Sequence, residues 1–339
     1  MLAETTPALY PIKLLEVLQG RSVDCRPVIA ESGFTALELN DREREVPIDK
    51  YLRMVSSALR HCDIQDLGFL VGEHTGTLEH GVLGYALLSS ANLGESLQRY
   101  TRYQGVVGPL LRVELQVKGE LAEMSVRPLS GDRALPLPEL RYFIQEWLAT
   151  WNPWSGFIGE RAPFFELVTL GLPDQDLASI YERHLRCPVC FSEGQTIAQF
   201  PASYMQKPLQ YTNQTIGALC HQQCELLLEA QQLEHGLTAE IHRQLARRPG
   251  NLPGMEEVAR QLGMTTRTLR RHLESENTRF QDIVINHRIA MARRYLQETS
   301  LPVNEIASLV GYADQANFFR TFRDREGMTP QDFRQTLQA

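Results

Sequence analysis

Nine side chains near the end of the chain have the chemistry to read a polyanion. Five fall in one run, Thr266, Arg267, Thr268, Arg270 and Arg271, and four in another, Gln315, Asn317, Arg320 and Arg323. Arg offers a planar fork that matches guanine edges and phosphates, and Asn and Gln match adenine. Thr hydroxyls reach phosphates or base edges. At helical spacing each set shares one face, opposite Leu269 and Leu273 in the first run and opposite Phe318 and Phe322 in the second. A lone run of arginines is usually a solvated face. Here the same face follows the same kind of turn twice, and the reading is double-stranded DNA.

The elements that must position these residues form an internal repeat. MEEVARQLGMTTRTLRRHLES (255–275) aligns with VNEIASLVGYADQANFFRTFRD (303–324). Val258 matches Ile306, Ala259 matches Ala307 and Gly263 matches Gly311. Thr265 and Asp314 then stand where an N-cap belongs. Helix-turn-helix geometry explains the pattern. The glycine suits a tight turn, the alanine lets two helices cross closely, and the i,i+4 apolar pair pins the second helix to the core. The spacing predicts one unit over about 255–275 and another over about 303–326, joined by a linker helix from Phe280 to about Gln297. Two such helices on one rigid connector could enter successive major grooves, about 34 Å apart. Phe319 sits toward the rim of the second helix, within reach of a thymine methyl or the neighbouring turn.

Charge divides the chain the same way. From Ala246 onward there are 14 Arg, no Lys and 11 acidic residues, a balance of +3, whereas the whole chain of 339 residues carries −7. The acidic excess therefore lies in the preceding part, and the asymmetry points to a nucleic-acid module joined to something else.

Other chemistries find less support. The six cysteines are scattered, and the CPVC at 187–190 lacks the second ligand pair a structural zinc needs, so no metal and no cofactor is expected. No GxSxG, HExxH, P-loop or GxGxxG stands in the right context, so the chain is read as not an enzyme. An enzyme fused to a helix-turn-helix module would need a reactive or zinc-bound cysteine motif. No apolar run is long enough for a membrane span and the start lacks the basic region of a secretory signal, so the expected location is cytoplasmic.

The first two hundred residues mix helix and strand signals. IDKYLRMVSSALRHC carries a stripe at Leu52, Val55 and Leu59; NLGESLQRYTRY opens on Asn92 with Glu95 at capping-box distance; 111–117 and 121–126 alternate around KGE as a hairpin. Trp147, Trp151 and Trp154 could line a small-molecule pocket or form a core stripe, and no effector-binding residue is assigned. Residues 1–210 are read as an α+β sensor and 237–339 as an all-α DNA-binding domain. Between them, 211–236 is a connecting helix in which Ile216, Leu219, Gln223, Leu226, Ala230 and Leu233 follow a coiled-coil seam, the pattern of a homodimer contact. TAEIHRQLARRPG is expected to start on Thr238 as cap and to end at Pro249-Gly250.

LPVNEIASLVGYADQANFFRTFRDREGMTPQDFR (301–334) resembles the signature of the AraC/XylS family of bacterial transcription regulators, with Gly327 and Pro330 at its closing Gly-x-x-Pro. Ala316 and Asn317 depart from the serine many members carry there, so individual base contacts do not transfer. GFLVGEHTGTLEHGVLGYALLSSANLGESLQRYTRY (68–103) is similar to the effector-binding domain of a subgroup that includes regulators of ornithine utilisation. The resemblance implies a sequence-specific regulator of promoter DNA that meets RNA polymerase and responds to a small-molecule effector, ornithine or a related amino acid, as activator of a catabolic operon. An effector-independent or repressing regulator of the same type is the alternative.

Overall fold

A computed structural model describes residues 5–42, 44–107, 110–128, 135–232, 237–246, 252–276 and 278–336. The chain forms two compact units, Met1–Gly217 and Ala218–Ala339.

The first unit is α+β. A short antiparallel pair, β1 (Thr5–Pro7) and β2 (Glu45–Pro47), brackets α1 (Leu9–Gly20) and α2 (Cys25–Ser32). The helices α3 (Ile48–His61), α4 (Leu67–His74), α5 (Val82–Leu88) and α6 (Leu93–Val107) follow, then the hairpin β3 (Leu111–Lys118) and β4 (Leu121–Pro128). Next come α7 (Leu137–Thr150), α8 (Trp154–Phe157), β5 (Leu167–Leu170), α9 (Ala178–Leu185), β6 (Val189–Phe191) and β7 (Thr196–Pro201). The five-stranded sheet has the order β3-β4-β7-β5-β6, antiparallel except for the parallel pair β5/β6.

The hairpin register sets Val113 opposite Val126 and Leu115 opposite Met124, with Gly119 turning at φ 63°. One face of β4 is buried through Ala122, Met124 and Val126, while Val117 on the edge strand stays exposed. In α3 the deepest residues are Ile48, Tyr51, Met54, Val55 and Ala58, so Leu52 and Leu59 flank the buried stripe instead of leading it. Asn92 accepts from the Glu95 N–H at 2.9 Å, and the Glu95 carboxylate reaches back one residue further than a capping box requires, to the Ala91 N–H at 2.7 Å.

The contact that positions the sensor's interior is α4 against α7. Gly68 and Gly72, one turn apart on α4, face the α7 backbone directly. A Cβ at 68 would stand 2.2 Å from the Tyr142 carbonyl oxygen and one at 72 would stand 2.4 Å from that of Glu146. Only glycine permits so close an approach. It brings α7 down onto a core of Tyr51, Met54, Val55, Leu67 and Val71.

The second unit is all-helical among its described residues. Helix α10 (Gln214–Gln232) runs through the sequence boundary between the units; α11 (Leu237–Ala246), α12 (Met255–Gln261), α13 (Thr266–Ser275), α14 (Phe280–Glu298), α15 (Val303–Leu309), α16 (Gln315–Glu326) and α17 (Pro330–Thr336) complete it. Of the seam residues on α10, Gln223 and Leu226 are buried and Ile216 is exposed. The Ala230 side chain and Leu233 lie outside the described residues, as do Pro249 and Gly250. The start of α11 is capped by Glu276 instead of Thr238: its carboxylate accepts from the Leu237 and Thr238 N–H groups, both at 3.2 Å, and from the Thr238 hydroxyl.

Candidate nucleic-acid interface and sensor cavity

Each half of the repeat is built around its own small core. In the first, Val258, Ala259, Leu269 and Leu273 pack with Ile241, Leu245 and Ile283 from the flanking helices. In the second, Ile306, Ala307, Phe318 and Phe322 are buried to 2% exposure or less. The Phe318 and Phe322 rings lie 5.7 Å apart, and Phe333 of α17 meets Phe322 edge-on at 5.7 Å. Both turns pass through glycines with positive φ, 68° at Gly263 and 85° at Gly311.

The caps then launch the two exposed helices. Thr265 accepts from the Thr268 N–H at 3.2 Å. Asp314 accepts from the Ala316 and Asn317 N–H groups at 3.1 and 3.2 Å. On α13, Arg267, Arg270 and Arg271 are exposed, while Thr266 and Thr268 are half-buried and the Thr268 hydroxyl lies 3.0 Å from that of Thr265. On α16, Gln315, Asn317, Arg320 and Arg323 are all exposed, and Arg320 donates to the Asn317 side-chain oxygen at 3.1 Å. Phe319 is half-buried, edge-on to Phe318.

Between the two exposed helices lies a groove lined by Arg270, Arg279, Arg288 and Asn317. Arg279 and Arg288 escape a reading of the sequence by repeats, because they belong to the connection between the copies. Arg279 is exposed at the start of α14. Arg288 is half-buried, with its guanidinium 5.1 Å from the Tyr312 ring, so packing under the second turn is part of its work.

The first unit holds a partly open cavity of about 130 Å³. Its walls are aromatic and aliphatic: Tyr10, Tyr51, Tyr100, Phe143 and Trp147, with Leu83 and Leu87 of α5. Most of its polar groups already have partners. Tyr10 hydroxyl and His80 Nδ1 lie 3.1 Å apart, Tyr51 and Tyr142 hydroxyls 3.3 Å apart, and Trp147 Nε1 donates to the Tyr100 hydroxyl at 3.1 Å. The Gln104 amide is spent on the backbone of Val113, accepting at 2.6 Å and donating at 2.9 Å. Glu146 differs. It is 9% exposed, lines the cavity, and its Oε1 has no hydrogen-bond partner among the described residues. Burial pushes its carboxyl up to about 8 and pushes His80 down to about 4, so both rest neutral at pH 7. Trp151 and Trp154 are core residues at 2% exposure, and of the three tryptophans only Trp147 reaches the cavity lining.

The comparisons fall on these two units. The arabinose-binding N-terminal domain of AraC transcription regulators matches residues 23–209, more than half the chain, and a helix-turn-helix domain matches 258–336. The chain belongs to the AraC family of transcription regulators. Among its AraC-type relatives, the ornithine utilization regulator of Pseudomonas aeruginosa is 32% identical over 336 residues, 98% of this chain and 97% of that one. The regulator VqsM of the same species is 27% identical over 80% of this chain and 84% of its own length. The solved structure of the P. aeruginosa regulator CdpR covers 95% of this chain and 96% of that one at 20% identity, with a TM-score of 0.48. The relatives and matched domains of this AraC-family chain are DNA-binding transcriptional regulators. No helix among the described residues is long and apolar enough to cross a membrane, and no cluster there could hold a metal ion.

Proposed function

We propose that this AraC-family regulator reads promoter DNA with two helices of one protomer and adjusts that binding to a small-molecule effector. The observation that carries the reading is the repeated exposed face: Arg267, Arg270 and Arg271 on α13, and Gln315, Asn317, Arg320 and Arg323 on α16, each behind an equivalent turn and cap. Thr266 and Thr268 stand at the first helix's tip, where half-burial leaves their hydroxyls for phosphate rather than base contact. Arg279 in the groove would meet the phosphates between the two sites of entry.

In this reading residues 1–210 sense, 211–236 connect, and 237–339 bind DNA. The regulator acts in the cytoplasm as an activator of a catabolic operon, through contact with RNA polymerase, and a homodimer would double the operator. The relative named for ornithine utilization makes ornithine, or a related amino acid, the first effector to test. The experiment is a gel shift of the full chain on the promoter beside its own gene, across a salt series and with and without ornithine. Specific binding that weakens steeply with salt supports the reader, and a mobility or affinity change with effector supports the sensor. Absence of sequence preference at any salt would sink the reading.

A further inference from the structure

We infer that the cavity in the first unit holds a singly charged amine with an uncharged body and no carboxylate, its ammonium paired with Glu146. The inference rests on the effector-responsive reading above and replaces the amino acid with an amine as the occupant of this cavity.

Three observations combine. The first is the orphaned acid: Glu146 is nine-tenths buried, faces the cavity, and leaves Oε1 without a partner among the described residues. A buried polar atom left unpaired costs stability, and a donor brought by a ligand removes that cost. The second is the wall around it. Tyr10, Tyr51, Tyr100, Phe143 and Trp147 present aromatic surface, which favours a cation as well as an apolar body. The third is the charge inventory. No Arg or Lys is among the described lining residues, and the one base there, His80, is engaged with the Tyr10 hydroxyl at 3.1 Å. A ligand carboxylate would therefore enter a mostly apolar space beside an existing carboxyl group, with no cationic side chain among the described lining residues to match it. An amino acid such as ornithine brings that carboxylate and a second ammonium. A simple amine brings neither.

Size limits the body. An apolar cavity of about 150 Å³ admits benzene, so the space here, about 130 Å³, suits a body of roughly six non-hydrogen atoms. Alkylamines with a chain of up to about six carbons fall in that range.

The test uses the full chain and titration calorimetry with three probes: n-hexylamine, n-hexanol and ornithine. Hexylamine is expected to bind at least 10-fold more tightly than hexanol, which has the same body without the charge, and more tightly than ornithine. Glu146→Gln, close to isosteric, is expected to lose at least 10-fold in hexylamine affinity while hexanol binding holds. Equal binding of hexanol and hexylamine would overturn the ion pair and leave an apolar pocket only. Ornithine as the tightest of the three would overturn the exclusion of carboxylates. The alcohol-amine comparison on the unaltered chain decides the matter even where Glu146→Gln fails to fold. A gel shift on the same preparations separates this inference from the one it rests on: specific DNA binding without amine binding refutes the cavity assignment alone, and loss of both refutes the regulator reading too.

Discussion

Gly72 of α4 touches the backbone of Glu146 so closely that a Cβ at position 72 would stand 2.4 Å from the Glu146 carbonyl oxygen and 2.7 Å from the Ala149 Cβ. The obstacle is main chain on one side and a helix-borne methyl on the other, neither of which can swing aside. Gly72→Ala must therefore push α7 away from α4, and with it the Glu146 carboxyl in the cavity. Overpacking of this kind costs about 1–3 kcal/mol. The expected outcome is a lower denaturation midpoint for the first unit, and weaker amine binding, with the second unit's unfolding unchanged. Chemical denaturation followed by Trp fluorescence reads the first unit selectively, since Trp147, Trp151 and Trp154 all lie there.

Glu146 also sets a pH dependence for that unit. Its folded carboxyl titrates near 8 against an ordinary 4.5, so between those values the folded state holds a proton the unfolded chain has released. Stability then falls as pH rises, and the loss is complete above about 8. His80 acts oppositely, because its folded value near 4 lies below 6.5, and its effect ends above 6.5. The groups facing Glu146, the Tyr10, Tyr51 and Tyr142 hydroxyls, are all raised further by burial and stay protonated throughout. From pH 6.5 to 8.5 the Glu146 slope is thus unopposed within the cavity. Thermal melts of the full chain should show the first unit's midpoint dropping across that window, and Glu146→Gln should flatten the drop.

Amine binding should carry the same signature in protons. Pairing with an ammonium requires Glu146 to ionise, and an alkylammonium keeps its own proton up to about 10, as lysine does. Close to one proton should therefore be released per amine bound at pH 7, and affinity should rise from pH 6 to 8. Calorimetry in two buffers of different ionisation enthalpy measures the released proton directly. A release near zero would mean that the amine is held without the carboxylate.

On α16, Arg320 and Asn317 are joined by a hydrogen bond of 3.1 Å on an exposed face. Arg320→Ala should cost roughly 1–3 kcal/mol at some base positions and little at others. Because removing the guanidinium also frees the Asn317 amide, the Arg320→Ala and Asn317→Ala effects should not add. Arg279→Ala should behave differently, weakening all sequences about equally and lowering the salt slope by about one. Binding-site selection with each variant distinguishes the two patterns.

The helix-turn-helix pair was legible in the sequence and the cavity was not, for a physical reason. A helix-turn-helix is specified by neighbours: Gly263 and Thr265, or Gly311 and Asp314, act within two or three residues of each other, so their spacing alone exposes the turn and cap. The cavity gathers Tyr10, Tyr51, His80, Tyr100 and Glu146 from five separate elements, and nothing in the local pattern of RYFIQEWLATW marks Glu146 as the inward acid. The tryptophans in and just after that run are the more conspicuous residues, yet Trp151 and Trp154 are core. The available signal was GFLVG, whose paired glycines mark the place where α4 meets another backbone. Thr238 misled in the same way, since its cap comes from Glu276, 38 residues on.

The two turns permit a sharper comparison than either alone. Gly263 and Gly311 both sit at positive φ, where a non-glycine residue costs about 1–2 kcal/mol and Asn is tolerated best. Around Gly263 a Cβ would meet open space, so the penalty there is conformational only. At Gly311 a Cβ would lie 3.3 Å from Arg288 Nη2, and that guanidinium is held over the Tyr312 ring. Gly263→Asn should therefore be nearly silent, and Gly263→Val should destabilise through φ alone. Gly311→Val should cost more than Gly263→Val, and a background of Arg288→Ala should recover part of the difference. Thermal melts of the four variants provide the ranking. Equal losses at the two turns, unaffected by Arg288→Ala, would show that Arg288 yields freely and takes no part in fixing α16.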